Sequence, residues 1–214
     1  MWALIAKKME RYFTDLATAF VRGGLGNAAA TIDDGLDAGL RLHKFKQNCE
    51  LPRVKRVLGI LHGLAPGNLL DIGSGRGTFL WPLLASFPSL PVTAIDWSER
   101  RVSDLAAVRD GGVERLTVAR MDVQKLTFPA GSFDVVTMLE VLEHLEDPEA
   151  GLLSAIKVAA RFVIVTVPSV ADENPEHIHL FGVPQLREMA VRAGCKRVSI
   201  EHVLNHRIMV CPLG

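Results

Sequence analysis

Residues 69–80 read Leu69-Leu70-Asp71-Ile72-Gly73-Ser74-Gly75-Arg76-Gly77-Thr78-Phe79-Leu80, and this stretch decides the fold. Its apolar start carries an acid, Asp71. Glycines follow at alternate positions, 73, 75 and 77, ahead of a helix-like run from Thr78 to Phe87. The pattern predicts a buried strand, a tight turn and a helix start, with glycines that let a ligand approach the backbone. The acid narrows the choice of ligand. A dinucleotide turn seats a pyrophosphate, disfavours a carboxylate and follows G-x-G-x-x-G/A; here the third position of that pattern falls on Thr78. A carboxylate beside the turn suits a cationic ligand without phosphates.

Working outward, further strands end in acids. Pro91 to Asp96 closes on an acid 19 residues after Gly77, the spacing at which a bidentate carboxylate holds both ribose hydroxyls, with Trp97 beside it to stack on an adenine face. Leu116 to Met121 leads to Asp122 and Val123, placed to bracket the adenine. Phe133 to Leu139 runs into Glu140-Val141-Leu142-Glu143-His144-Leu145.

Four acid-tipped strands in this order resemble the class I S-adenosylmethionine-dependent methyltransferases. The wording DVVTMLEVLEHLEDPEAGL, residues 134–152, is especially similar to their small-molecule and quinone-type branch. The resemblance covers roughly residues 50–212. It implies a Rossmann-like α/β fold: a seven-stranded, mostly parallel sheet with one antiparallel strand and helices on both faces. It also implies S-adenosyl-L-methionine as cofactor. Asp71, Gly73, Ser74, Gly75 and Gly77 would lie at its methionine end, Asp96 and Trp97 at the ribose and adenine, Asp122 and Val123 around the adenine, and Glu140 where cofactor meets methyl acceptor. One departure is local: Ala159-Ala160-Arg161 stands where the family usually has a Pro-Gly-Gly turn before the fifth strand.

The whole chain is compatible with this reading. Its 214 residues suffice for one α/β core with a helical appendage, and 49% hydrophobic with 22% charged residues is ordinary globular composition. A formal net charge of zero supplies no global field for nucleic acid or acidic membranes. Cys49, Cys195 and Cys211 are odd in number and lack metal-ligand spacing, which points to reduced thiols and a cytoplasmic location. The start lacks a signal-peptide pattern, and no apolar run approaches the ~18 residues of a membrane span.

The expected organisation is an N-terminal helical cap over residues 1–50 and a methyltransferase domain over 51–214. In residues 1–21, Ile5, Met9, Tyr12, Phe13, Leu16 and Phe20 share one helical face, and Arg22 to Asn27 breaks the pattern. A second helix is expected from Ala28 to Phe45. The apolar stripe would cover the cofactor or form a homodimer contact. Beyond Pro52, helices are expected from that proline, over Pro148–Val158 and over Pro184–Arg192, with Gly194 as the stop. A fifth strand spans Arg161–Val167 and a polar loop Pro168–His179. Strands Arg197–Val203 and Arg207–Cys211, joined by three residues, must pair antiparallel.

Glu140, Glu143 and His144 are spaced i, i+3, i+4, which puts them on one face if a helical turn begins there. With His177 or His179 they would suit Mn²⁺ or Mg²⁺. The small-RNA 3′-terminal 2′-O-methyltransferases look like this, although their surrounding Phe-Glu-Trp signature is absent. Without a metal, Glu143, His144 and His179 are the candidates around the methyl acceptor, the first two as general base. Arg41, Lys44, Lys46, Arg53, Lys55 and Arg56 form a basic stretch, read as a landing site for an anionic substrate or as a solvated face with one residue on the cofactor carboxylate. His62, His202 and His206 read as ordinary surface or turn residues. The expected function is methyl transfer to an oxygen or nitrogen of a small molecule. Its alternatives are a metal-assisted 2′-O-methyltransferase of RNA 3′ termini and a non-catalytic cofactor-binding partner subunit, with a dinucleotide reductase a distant fourth.

Overall fold

The structure is a computed structural model and describes residues 13–47 and 51–214. Ile5, Met9 and Tyr12 of the N-terminal stripe, and Cys49, lie outside the described residues. Seven strands form one sheet: β1 (Leu69–Ile72), β2 (Val92–Asp96), β3 (Leu116–Arg120), β4 (Phe133–Leu139), β5 (Ala159–Pro168), β6 (Ser199–Val203) and β7 (His206–Pro212), in the order β3-β2-β1-β4-β5-β7-β6. All neighbours are parallel except those of β7, the one reversed strand. Strands covered on both faces read as unbroken apolar runs, and β1 is buried at all four residues.

The chain runs outward from β1 to β3 and then returns to the other side of β1 to lay down β4. That reversal opens a crevice beyond the carboxyl ends of β1 and β4, where open α/β sheets bind ligands. Register carries the site with it. Asp71 lies opposite Thr137, Leu139 opposite Thr166 and Pro168 opposite His206.

Helices α1 (Thr14–Leu25), α2 (Ile32–Asp37), α3 (Pro52–Leu64), α4 (Leu80–Ser86), α5 (Glu99–Asp110), α6 (Pro148–Val158) and α7 (Val183–Arg192) complete the fold. The helix after Pro52 buries Val54, Val57, Leu58 and Leu61, the face its spacing predicts. Helix α6 passes straight from Val158 into β5. Phe133 faces Ala159 but Val135 faces Phe162, so the residues replacing the usual turn become a bulge with one extra residue in β5.

The N-terminal region departs from expectation. Helix α1 does not break at Arg22; it continues through Gly23 and Gly24 and stops at Gly26, whose φ of 61° is a left-handed cap. A Cβ on Gly23 would lie 1.9 Å from the Ala107 carbonyl oxygen, and one on Gly111 would lie 1.7 Å from that of Ala19. These glycines are places where α1 and the α5 segment meet backbone to backbone. The predicted second helix is reduced to α2 and a 3-10 turn at Leu42–Phe45, with Gly39 at φ 76° between them. Leu16 and Phe20 are buried in the same hydrophobic cluster as Leu58 and Trp81, and the Phe20, Phe45 and Trp81 rings pack in series at tilted angles. Leu16 and Phe20 of the stripe are therefore covered by the chain's own core, and Phe13 packs half-buried against it.

Candidate active site

Asp71, the penultimate residue of β1, is almost fully buried. Its Oδ2 accepts from the Ser74 hydroxyl at 2.7 Å and its Oδ1 from the Thr137 hydroxyl at 2.8 Å. Burial pushes its carboxyl up to about 6; the two hydroxyl donors pull it down, and the charge of Asp96 adds to the rise. It is thus mostly ionised at neutral pH and held in one orientation. Asp96, at the end of β2, accepts from the Gly75 amide on Oδ2 and from the Ser98 amide on Oδ1, each at 2.9 Å, with Arg101 Nη1 at 3.7 Å. Each carboxylate thus fixes part of the turn that carries the glycines.

Those glycines are not equivalent. A Cβ on Gly77 would fall 2.0 Å from the Trp81 ring, which is buried and donates to the Arg76 carbonyl at 3.0 Å. A Cβ on Gly73 would meet Val141 at 2.6 Å. At Gly75 the nearest atom stands at 3.6 Å. All three have positive φ, between 57° and 80°, which a turn this tight requires. Gly73 and Gly75 line the crevice; Gly77 is bare for its own tryptophan.

The crevice holds a cavity of about 250 Å³. Asp71 and the Gly73–Arg76 turn form one wall, Leu139 and Glu140 another, and Arg53 and Arg101 supply cations. Arg53 is the member of the basic stretch that reaches it. Lys44 pairs with Asp104, and Arg56 with Glu201 at 2.6 Å. Trp97 is 72% exposed, its ring open to a ligand. Asp122 accepts from the Gln124 amide at 2.9 Å and caps a short 3-10 turn, while Val123 packs into the core.

The segment after β4 is built differently from expectation. Glu140 has φ 57°, a left-handed conformation a side chain rarely adopts, so the chain turns sharply before the 3-10 turn Leu142–His144. Glu140, Glu143 and His144 consequently do not share one helical face. Thr166 donates to Glu140 Oε1 at 2.7 Å, and the Thr166 carbonyl accepts from the Glu140 amide at 2.9 Å. His206 Nε2 lies 3.1 Å from Glu140 Oε2, and Arg53 Nε 4.0 Å from Oε1. His206, read from sequence as an ordinary surface or turn residue, thus contacts the crevice residue Glu140. Only the sheet order, which sets β7 against β5, brings it there.

Glu143 is fully buried, and neither carboxylate oxygen has a hydrogen-bond partner among the described residues. Burial first, and then the charge of Glu140, push its carboxyl up to about 8. Its backbone carbonyl accepts from the Ile178 and His179 amides, strapping the 168–182 loop to the turn. Of the expected metal set, Glu140 and His179 stand apart: Glu140 is engaged as above, and His179 Nε2 donates to the Leu145 carbonyl at 2.9 Å. His177 joins Glu143 and His144 instead, with one potential ligand atom from each lying within 4.8 Å of the others.

Residues 70–161 match the family model described as "Methyltransferase domain". The chain is 31% identical over 127 residues to ubiquinone biosynthesis O-methyltransferase of Rickettsia conorii, a match covering 56% of this chain and 39% of that protein. It is 31% identical to 27-O-demethylrifamycin SV methyltransferase of Amycolatopsis mediterranei (59% and 50% covered) and 26% identical to norajmaline N-methyltransferase of Rauvolfia serpentina (77% and 51% covered). The chain spans about half the length of these relatives, or less. Among solved structures, a SAM-dependent methyltransferase from Aquifex aeolicus superimposes with a TM-score of 0.63 at 21% identity, covering 78% of this chain and 93% of that one. The N-terminal domain of EvdMO1 with SAH bound superimposes at 0.61 with 17% identity, covering 77% and 82%. No helix among the described residues is long and apolar enough to cross a membrane.

Proposed function

Since the chain carries, at residues 70–161, a domain of the class I S-adenosylmethionine-dependent methyltransferases, we propose that it transfers a methyl group from S-adenosylmethionine to an oxygen or nitrogen of a small molecule in the cytoplasm. One observation carries the reading. A fixed carboxylate, Asp71, and a guanidinium, Arg53, line the same crevice, and an amino-acid head needs both charges. The residues present fit the cofactor: Asp71 would take the ammonium, Arg53 the carboxylate, Asp96 the ribose hydroxyls and Trp97 the adenine face. Relatives named for both O- and N-methyl transfer support either acceptor atom.

When bound, the cofactor supplies a methyl group already activated by its sulfonium. The protein's task is then alignment, worth on the order of 7–11 kcal/mol in well-oriented reactions. Asp71 and Asp96 serve it by holding the turn rigid before any ligand arrives. A second cavity, of about 210 Å³, is lined by Val170, Ile178 and Leu180 on its apolar side and by Asp172, His177 and His179 on its polar side, a mixed setting for an acceptor. An acceptor hydroxyl must lose its proton. His179 uses Nε2 on a carbonyl, and Glu143 is mostly protonated at neutral pH. Two imidazoles keep a free Nε2 for the base: His144, whose Nδ1 donates to the Glu176 carbonyl at 2.9 Å, and His177, whose Nδ1 faces Asp172 at 2.9 Å and which lines the cavity itself.

The test is calorimetric titration with S-adenosylhomocysteine, followed by radiolabelled methyl transfer into pools of small phenols, alcohols and amines. Stoichiometric binding with label in one pool is the expected outcome. Absence of S-adenosylhomocysteine binding would overturn the reading, and binding without transfer to any pool would favour a non-catalytic subunit.

A further inference from the structure

We propose that His206 is a positioning residue for the cofactor: by holding Glu140 off Arg53, it keeps that guanidinium free for the carboxylate of the amino-acid head. This role presupposes that Arg53 receives the cofactor, and it adds a residue that lines neither cavity. Strand register places it. His206 opens β7 opposite Pro168, and the Ser169 amide donates to the Asn205 carbonyl at 2.8 Å, which ties the hairpin to the end of β5. Thr166, two residues before Pro168, presents its side chain to the same face of the sheet. The two side chains meet at Glu140. The Thr166 hydroxyl donates to Oε1 at 2.7 Å, and His206 Nε2 stands 3.1 Å from Oε2. A carboxylate oxygen accepts, so Nε2 carries the hydrogen. Donation, and not a charge on the ring, is what this geometry requires.

What this grip achieves is set by Arg53, in the first turn of α3. Its Nε faces Glu140 Oε1 at 4.0 Å, and its Nη atoms bond no other residue among the described residues. A guanidinium that faces one acid through Nε keeps its Nη pair for a second. Left to itself, Glu140 would take that pair, because carboxylates close bidentately on guanidinium at about 2.7–2.9 Å. Here it stops at 4.0 Å. Its backbone is held in the left-handed region at φ 57°, its amide bonded to the Thr166 carbonyl at 2.9 Å, and each of its oxygens has a donor from β5 or β7. The side chains of Arg53, Glu140 and His206 are 20%, 22% and 23% exposed, so salt screens their charges only in part. Without the His206 donor Oε2 is released, and Arg53 is the cation within its reach. The cofactor carboxylate must then compete with one that belongs to the protein.

The experiment compares two ligands by calorimetry on the full chain: S-adenosylhomocysteine, and 5′-methylthioadenosine, which keeps the nucleoside and thioether but lacks the amino-acid head. His206→Ala should weaken S-adenosylhomocysteine about tenfold and leave 5′-methylthioadenosine unchanged. His206→Gln, which keeps an N–H donor without an imidazole, should recover most of the lost affinity. In an Arg53→Met background, His206→Ala should cost nothing further. Thr166→Val removes the other donor and should repeat the ligand-selective loss, so it decides the matter if His206→Ala does not fold. Equal weakening of both ligands, or unchanged S-adenosylhomocysteine binding in the variants, overturns the role of His206 alone. Wild-type protein that binds neither ligand would overturn the cofactor assignment and this role with it.

Discussion

Two turns at the carboxyl edge of the sheet, on the neighbouring strands β1 and β4, handle buried carboxylates in opposite ways. In the Asp71–Asp96 pair every acid oxygen accepts a hydrogen bond at 2.7–2.9 Å, from Ser74 and Gly75 in the turn, Thr137 on the neighbouring strand and Ser98 just after β2. In the Glu140–His144 turn one acid is held by Thr166 and His206 while the next, Glu143, is buried with both oxygens unpartnered. The first turn is complete before a ligand binds; the second leaves a polar group whose cost only a proton or a cation offsets. Preorganisation belongs to the first, and dependence on conditions to the second.

Asp96→Ala attacks the completed turn and should have the largest effect. Bonds to a charged acceptor contribute roughly 1.5–3 kcal/mol each, so losing a bidentate grip on a ribose should weaken S-adenosylhomocysteine at least about a hundredfold. Calorimetry within threefold of wild type would remove Asp96 from the cofactor site. The variant should also melt earlier, because the Gly75 and Ser98 amides lose their acceptor.

Glu143 provides the contrast. Its carboxyl titrates near 8 in the folded chain and near the ordinary 4.5 when unfolded, so the folded state keeps a proton that the unfolded state releases. Stability should fall as pH rises from about 4.5 to about 8, by on the order of 5 kcal/mol over that window, and level off above it. Glu143→Gln should flatten that slope in urea titrations repeated across pH. An unchanged slope would mean that the carboxylate finds a partner in solution.

Asp71→Asn sharpens the comparison from the other side. With its folded value near 6 against 3.8, Asp71 opposes stability as pH rises from about 4 to about 6, by on the order of 3 kcal/mol. The variant should be the more stable protein at pH 7 and the poorer binder of S-adenosylhomocysteine. A variant that lost stability at pH 7 would show that the hydroxyl bonds outweigh burial.

The smallest effects test whether the α1–α5 contact is as complete as the cofactor turn. Gly23→Ala forces a Cβ into the Ala107 carbonyl and should cost about 2–3 kcal/mol. Gly24→Ala, with its nearest neighbour 3.6 Å away, should add about 0.5–1 kcal/mol. Equal melting temperatures for the pair would deny the close approach.

What could be read from the chain alone is whatever rests on local chemistry. Buried parallel strands appear as apolar runs, turns as glycines, and helix limits at Pro148 and Gly194 as breakers, so strands, order of elements and the Asp71 turn follow from neighbours in sequence. Contacts made across the sheet left no such trace. Thr137 is a donor to Asp71 only because β4 pairs beside β1, and His206 reaches Glu140 only because β7 inserts next to β5. Gly23 looked like a breaker because helix propensity is local, whereas its close approach to Ala107 is not. Glu140 looked helical because i, i+3, i+4 spacing assumes right-handed backbone, while Thr166 and His206 hold it in the left-handed well. Sequence by itself determined which strands form and where the acids sit on them. Tertiary structure decided which of those acids were satisfied, because hydrogen-bond partners are assigned by strand register and packing, not by distance along the chain.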